Sequence, residues 1–178
     1  MDPSVSLQPG SAINPTDIRY AGILSQETDE AVVTVTPEND QPLLQVPITP
    51  VAFEVNRVVS LAGTTFSDAD MVAGDDRTLV ATKAVTLTAS ASDGTVSLAG
   101  KSGKSVTVSL PANAVNEALK GLTFKPPVDS ATAQVVTLTV NDGGNGGTGP
   151  REATASINLN PKERIAFLEA GALIVQGT

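Results

Sequence analysis

The run "AVTLTASASDGTVSL" (84–98) sets the strongest limit on what this chain folds into. Val85, Leu87, Ala89 and Ala91 alternate with Thr and Ser. Successive side chains of a strand point to opposite faces, so this run has one face for a core and one for water. The same period of two returns in "VTVSL" at Val106, Val108 and Leu110, and in "QVVTLTVND" at Val136, Leu138 and Val140. "ATASINL" repeats it at Ala153, Ala155, Ile157 and Leu159, and "VAFEVNRVVSL" opens the series with Val51, Phe53 and Val55. Turn residues separate the runs at intervals of about eight to twelve, the pattern of an all-β antiparallel sandwich of about seven strands. Asp93-Gly94 reads as a two-residue hairpin turn, and "GKSGKS" (100–105) as a second turn.

The 178 residues suffice for one domain plus arms, or at most two small domains. Aromatic residues make up 3% of the chain, so Val, Leu, Ile and Ala must build the core. Residues 1–36 read as an N-terminal arm whose runs "IRYAGIL" (18–24) and "AVVTVT" (31–36) form a hairpin. Four prolines in residues 37–50 predict a stiff linker, because each fixes φ and biases its predecessor to extended geometry. The sandwich is expected over 51–161 and a C-terminal tail over 162–178. One stretch breaks the β pattern. In "NAVNEALKGL" (113–122), Val115, Leu119 and Leu122 recur at helical spacing, with Asn113 as the N-cap and Gly121 as the stop. Phe124 just beyond it is expected in the core. In the tail, "KERIAFLEAG" predicts a short helix closed by Gly171, followed by a strand-like "ALIVQ".

Several functions are excluded. The chain has no His and no Cys, which removes Ser–His and Cys–His nucleophiles, thiolate metal sites and disulfides. Paired carboxylates stand at Asp68/Asp70 and Asp75/Asp76, but four Phe and one Tyr do not line a sugar cleft. No enzyme activity is expected. "AGKSGKSV" (99–106) fails as a phosphate loop, since neither Leu98 nor Thr95 is the glycine required five residues before the final Gly-Lys-Ser. A net charge of −8 argues against nucleic acid and against an anionic membrane surface. No apolar run is long enough to span a membrane, and "MDPSVSLQPG" lacks the basic and apolar regions of a signal peptide.

Five spaced stretches then point one way: "FSDAD" (66–70), "VTLTASASDGTVSL" (85–98), "NEALKGLTFKPP" (116–127), "VTLTVNDGGNGG" (136–147) and "ATASINLNP" (153–161). In this order they resemble the cadherin-like and immunoglobulin-like β-sandwich modules of tandem-repeat bacterial adhesins. "VTVTPENDQP" resembles the linker between two such modules. The resemblance implies a seven-stranded sandwich and no catalysis. It also implies calcium ligands at Asn39 and Asp40 in the linker, Asp68 and Asp70 in "FSDAD", and Asp142 in "VNDGG", since calcium takes six to eight oxygens. The competing reading of these residues is that Asp and Asn cap turns. The glycine-rich "NDGGNGGTG" (141–149) reads as a long mobile loop, either a recognition tip or a plain connection.

Two functions follow as expectations. In the first, the chain is a phage virion protein, a capsid-decoration or tail-associated Ig-like domain. Its arms grip the major capsid or tail protein and neighbouring copies, and it is made in the host cytoplasm without export. In the second, it is an extracellular, calcium-dependent adhesion or spacer module of a bacterial surface protein. Loop tips would then meet a host surface or glycan ligand.

Overall fold

The computed structural model describes residues 38–73, 78–80, 82–145, 149–162, 164–169 and 172–177. All lie within one unit, Thr36–Thr178. The hairpin expected over 18–36, and Asp75 and Asp76, lie outside the described residues. Among the described residues there are many β-strands and one α-helix. In order come β1 (Leu43–Gln45), β2 (Val51–Phe53), β3 (Val59–Ser60), β4 (Thr65–Ser67), β5 (Val72–Ala73) and β6 (Thr78–Leu79). Then follow β7 (Ala84–Ala91), β8 (Thr95–Leu98), β9 (Lys101–Gly103), β10 (Ser105–Pro111), α1 (Ala112–Lys120) and β11 (Thr123–Lys125). The series ends with β12 (Gln134–Asn141), β13 (Glu152–Pro161), β14 (Arg164–Glu169) and β15 (Ala172–Gly177).

Two sheets build the core. One has the order β10-β7-β12-β13-β2, the other β3-β11-β8-β9. Every second residue of β7 and β12 is buried, and Val106, Val108, Ile157 and Leu159 join them from β10 and β13. Val96, Leu98 and Phe124 from the second sheet belong to the same hydrophobic cluster. Phe53 and Phe124 meet edge to face across it, centroids 6.1 Å apart, a favoured aromatic geometry. The opposite face of the first sheet carries hydroxyls that pair across strands, Thr88 with Thr107 at 2.9 Å and Ser90 with Ser105 at 2.7 Å. The alternation read from the sequence is therefore the division between core and water.

Several local expectations change. Asp93-Gly94 closes no hairpin: β7 and β8 belong to different sheets, and the turn carries the chain from one to the other. The adjacent tight hairpin is instead β8–β9, with Ala99 (φ 49°) and Gly100 (φ 77°) at its tip. The sheet is not wholly antiparallel, because β2 pairs β13 in parallel, Val51 opposite Leu159. Asn56, at φ 64°, ends the alternating run that began at Val51.

The helix starts at Ala112, with Pro111 at its N-cap, while Asn113 is exposed and caps nothing. A tertiary bond replaces the side-chain cap: the Ala112 N–H donates to the carbonyl of Lys83 at 2.8 Å. Gly121 stands at the C-cap as expected. The tail forms an antiparallel hairpin, β14 with β15, where a helix was expected over its first half. Ile165, Phe167, Ile174 and Val175 are strand formers, and cross-strand pairing overrides a short stretch of helix propensity. The proline-rich stretch expected as a stiff linker carries β1, which pairs β4 and lends Leu44 to the core.

Candidate cation site

The strand registers decide which loops meet. β12 runs antiparallel to both β7 and β13, so Asn141 lies opposite Thr86 on one side and Glu152 on the other. The segments before Ala84, after Asn141 and before Glu152 therefore gather at one end of the first sheet. β1, β4 and the 3₁₀ turn Ala69–Met71 bring residues 39–41 and 68–70 to the same place.

Asp142 is the centre. Its side chain is fully buried, and its Oδ1 accepts from the N–H groups of Gly144 and Arg151, each at 2.8 Å. The Asn39 amide, itself 3% exposed, donates to Asp142 Oδ2 at 2.7 Å and to the Gly149 carbonyl at 2.8 Å. The Asp40 N–H donates to Asp70 Oδ2. Asp68 caps the 3₁₀ turn, its Oδ1 accepting from the Asp70 N–H at 2.9 Å. Asp68 is 5% exposed, and its Oδ2 is buried with no hydrogen-bond partner. An unsatisfied buried carboxylate oxygen is costly, so it calls for an explanation. Burial pushes the Asp68 carboxyl up, and the nearby Asp142 and Asp70 add to this. Its bond from the Asp70 N–H and the attraction of Lys83 offset part of it.

All five residues singled out in the sequence thus come together from three stretches, Asn39 and Asp142 being 103 positions apart. Three further side chains hold the cluster and were not singled out as site residues in the sequence. Lys83 donates to the Asp70 carbonyl at 2.8 Å and to the Asn145 carbonyl. Asn145 donates to the Ala84 carbonyl at 2.7 Å, and Gln41 to the Glu152 carbonyl at 2.7 Å. The described part of the glycine-rich loop is accordingly tied to β7 and to residue 39, not extended into solvent. Its residues 146–148 lie outside the described residues.

The site's chemistry is oxygen only: carboxylates, an amide and peptide carbonyls. That donor set suits a hard divalent cation such as calcium. The orphan oxygen of Asp68 is the group such an ion would satisfy. A groove of about 450 Å³ is lined by Gln41, Leu43, Ser67, Asp68, Ala69 and Val72, so of the five residues only Asp68 borders it. The carboxylates do not form a closed cage: among the described residues no three acidic side chains stand together at metal-holding spacing. Amide and ammonium hydrogens occupy several of the oxygens instead. Among the described residues, no helix is long and apolar enough to cross a membrane. No family model, no curated protein and no solved structure matches this chain.

Proposed function

We propose that the chain is a non-enzymatic structural module, an Ig-like or cadherin-like β-sandwich whose N-terminal linker is locked to the domain end by calcium. Its setting is a repetitive extracellular protein of the adhesion or spacer kind. The observation that carries this reading is the buried, unpartnered Asp68 Oδ2 amid Asn39, Asp40, Asp70 and Asp142. Asn39 and Asp40 belong to the linker and the other three to the domain. An ion held by both makes linker and domain one stiff body, which is what a spacer requires. Asp68 supplies the unpartnered oxygen, and Asp40, Asp70, Asp142 and Asn39 complete the set by closing in on the ion, the Asn39 amide turning its oxygen inward.

Binding that favours the native state over the unfolded one stabilises by RT ln(1 + [L]/Kd), about 2.7 kcal/mol at a hundredfold excess over Kd. For a domain of this size that corresponds to a melting rise of roughly 8–10 °C. Thermal melts of the full chain in saturating calcium and in EDTA are expected to differ by this amount. Coincident melts would overturn the lock.

The C-terminal hairpin favours a second reading. β14 and β15 form a sheet of their own, separate from the two that build the core. In a virion protein such an element serves as an anchor, with the sandwich projecting from a capsid or tail. On that reading, deleting residues 1–36 leaves a soluble folded domain that no longer attaches to particles. Retained attachment would remove the arm from the account.

A further inference from the structure

Lys83 brings a positive charge near Asp68, and its surroundings are built. It precedes β7, and its own carbonyl accepts from the Ala112 N–H at 2.8 Å, so its backbone is pinned to the start of α1. The neighbouring Ala84 carbonyl is held by the Asn145 amide at 2.7 Å. From this fixed base the ammonium reaches the carbonyl of Asp70 at 2.8 Å and that of Asn145. Asp70 follows Asp68 in the 3₁₀ turn, and Asn145 follows Asp142 in the glycine-rich loop. One ammonium therefore ties together the two segments that carry the domain's carboxylates. Peptide carbonyls are also oxygens that calcium accepts as ligands.

We propose that Lys83 is a tethered cation that holds this end of the domain assembled without metal and limits how tightly a divalent ion binds there. The proposal rests on the calcium-lock reading. Asp68 feels the charges of Asp142 and Asp70, and like charges brought near one another repel. Lys83 offsets that repulsion and replaces a bound ion in part. For the same reason it repels an incoming dication, as charges a few ångströms apart near a protein surface interact by several kcal/mol before screening. The lysine thus favours an assembled end at low calcium at the expense of calcium affinity.

The test uses the full chain carrying Lys83→Met, which keeps the aliphatic stem and removes the charge. Melting is measured in EDTA, and calcium uptake by titration calorimetry. The variant is expected to melt lower than wild type in EDTA and to bind calcium about tenfold more tightly. Lys83→Arg, which keeps the charge, is expected to melt near wild type in EDTA with no gain in affinity. An unchanged EDTA melt for Lys83→Met would overturn the tether, and unchanged or weaker calcium binding would overturn the limit on affinity. If Lys83→Met fails to fold, Lys83→Gln is read by the same two criteria. Absence of calcium uptake by both wild type and variant overturns the lock and the affinity limit together. The EDTA melts still decide the tether on their own.

Discussion

Asp68→Asn is expected to raise the melting temperature of the metal-free chain at neutral pH and to abolish its increase with calcium. The carboxylate it removes is buried, keeps one oxygen unpartnered, and lies near Asp142 and Asp70. Asparagine keeps an oxygen to accept the Asp70 N–H, so the cap of the 3₁₀ turn survives. What is lost is a buried charge, whose poor satisfaction costs about 1–3 kcal/mol. Relief of part of that cost amounts to roughly 3–4 °C for a domain of this size. The pH dependence follows from the raised carboxyl. A folded-state value above the unfolded one means the folded state holds the proton more tightly. The associated stability is present in mild acid and is lost as pH rises through the folded-state value. In EDTA the wild type should therefore gain stability as pH falls from neutral into the carboxylate range, and Asp68→Asn should lack that component. Melts at several pH values check this. A variant that melts lower than wild type in EDTA, or retains the calcium increment, would show that Asp68 is not the group the ion satisfies.

Gly94→Ala is expected to produce the largest loss of stability without touching the calcium response. Gly94 has φ +87°, where a Cβ is strained, and an added Cβ would sit 2.5 Å from the Lys125 carbonyl oxygen. It would also lie 3.0 and 3.1 Å from two ring carbons of Phe124. Phe124 is fully buried against Phe53, so the ring has no room to yield, and a close-packed core transmits the strain. A loss of about 3 kcal/mol or more, on the order of 10 °C, is the expected result. Gly94 follows the C-terminal end of β7, whereas Lys83 and the carboxylates gather beyond its N-terminal end. Melts of the variant with calcium and with EDTA should therefore drop in parallel. A loss below about 1 kcal/mol would mean that the turn relaxes.

How far the sequence disclosed this arrangement depends on the range of each signal. Burial alternation along β7, β10 and β12 is a property of the strand itself, so it was plain from residue types. Val115 and Leu119 marked the helix face for the same reason, whereas Leu122, also buried, lies beyond the helix end. Asp93-Gly94 specifies a sharp turn, but the local chemistry is the same whether the next strand pairs back or crosses to another sheet. Only the fit of the turn against Phe124 and Lys125 separates the two. Asn113 looked like a cap because the partner that displaced it, Lys83, lies thirty positions away. The tail reads ambiguously over "RIAFLE", where helix and strand propensities compete and pairing with β15 decides. The acidic residues of the site were legible through a resemblance. Lys83, Asn145 and Gln41 were not, although the last two lie in the quoted stretches, because a polar side chain's role is undefined until the fold supplies its partners.

The parallel pairing of β2 with β13 has a mechanical consequence. Val51 lies opposite Leu159 and Phe53 opposite Pro161, so the first strand of this sheet and its last long strand run side by side in one direction. Tension that draws Val51 backward along the chain and Pro161 forward slides the two strands past one another. The hydrogen bonds between them then resist together, in shear, whereas a hairpin pulled from its open end parts one bond at a time. Lys162 continues the register, its N–H donating to the Phe53 carbonyl at 2.8 Å and its ammonium meeting Glu54 at 3.0 Å. A load passing along the backbone through this module therefore crosses a lap joint, not a zipper.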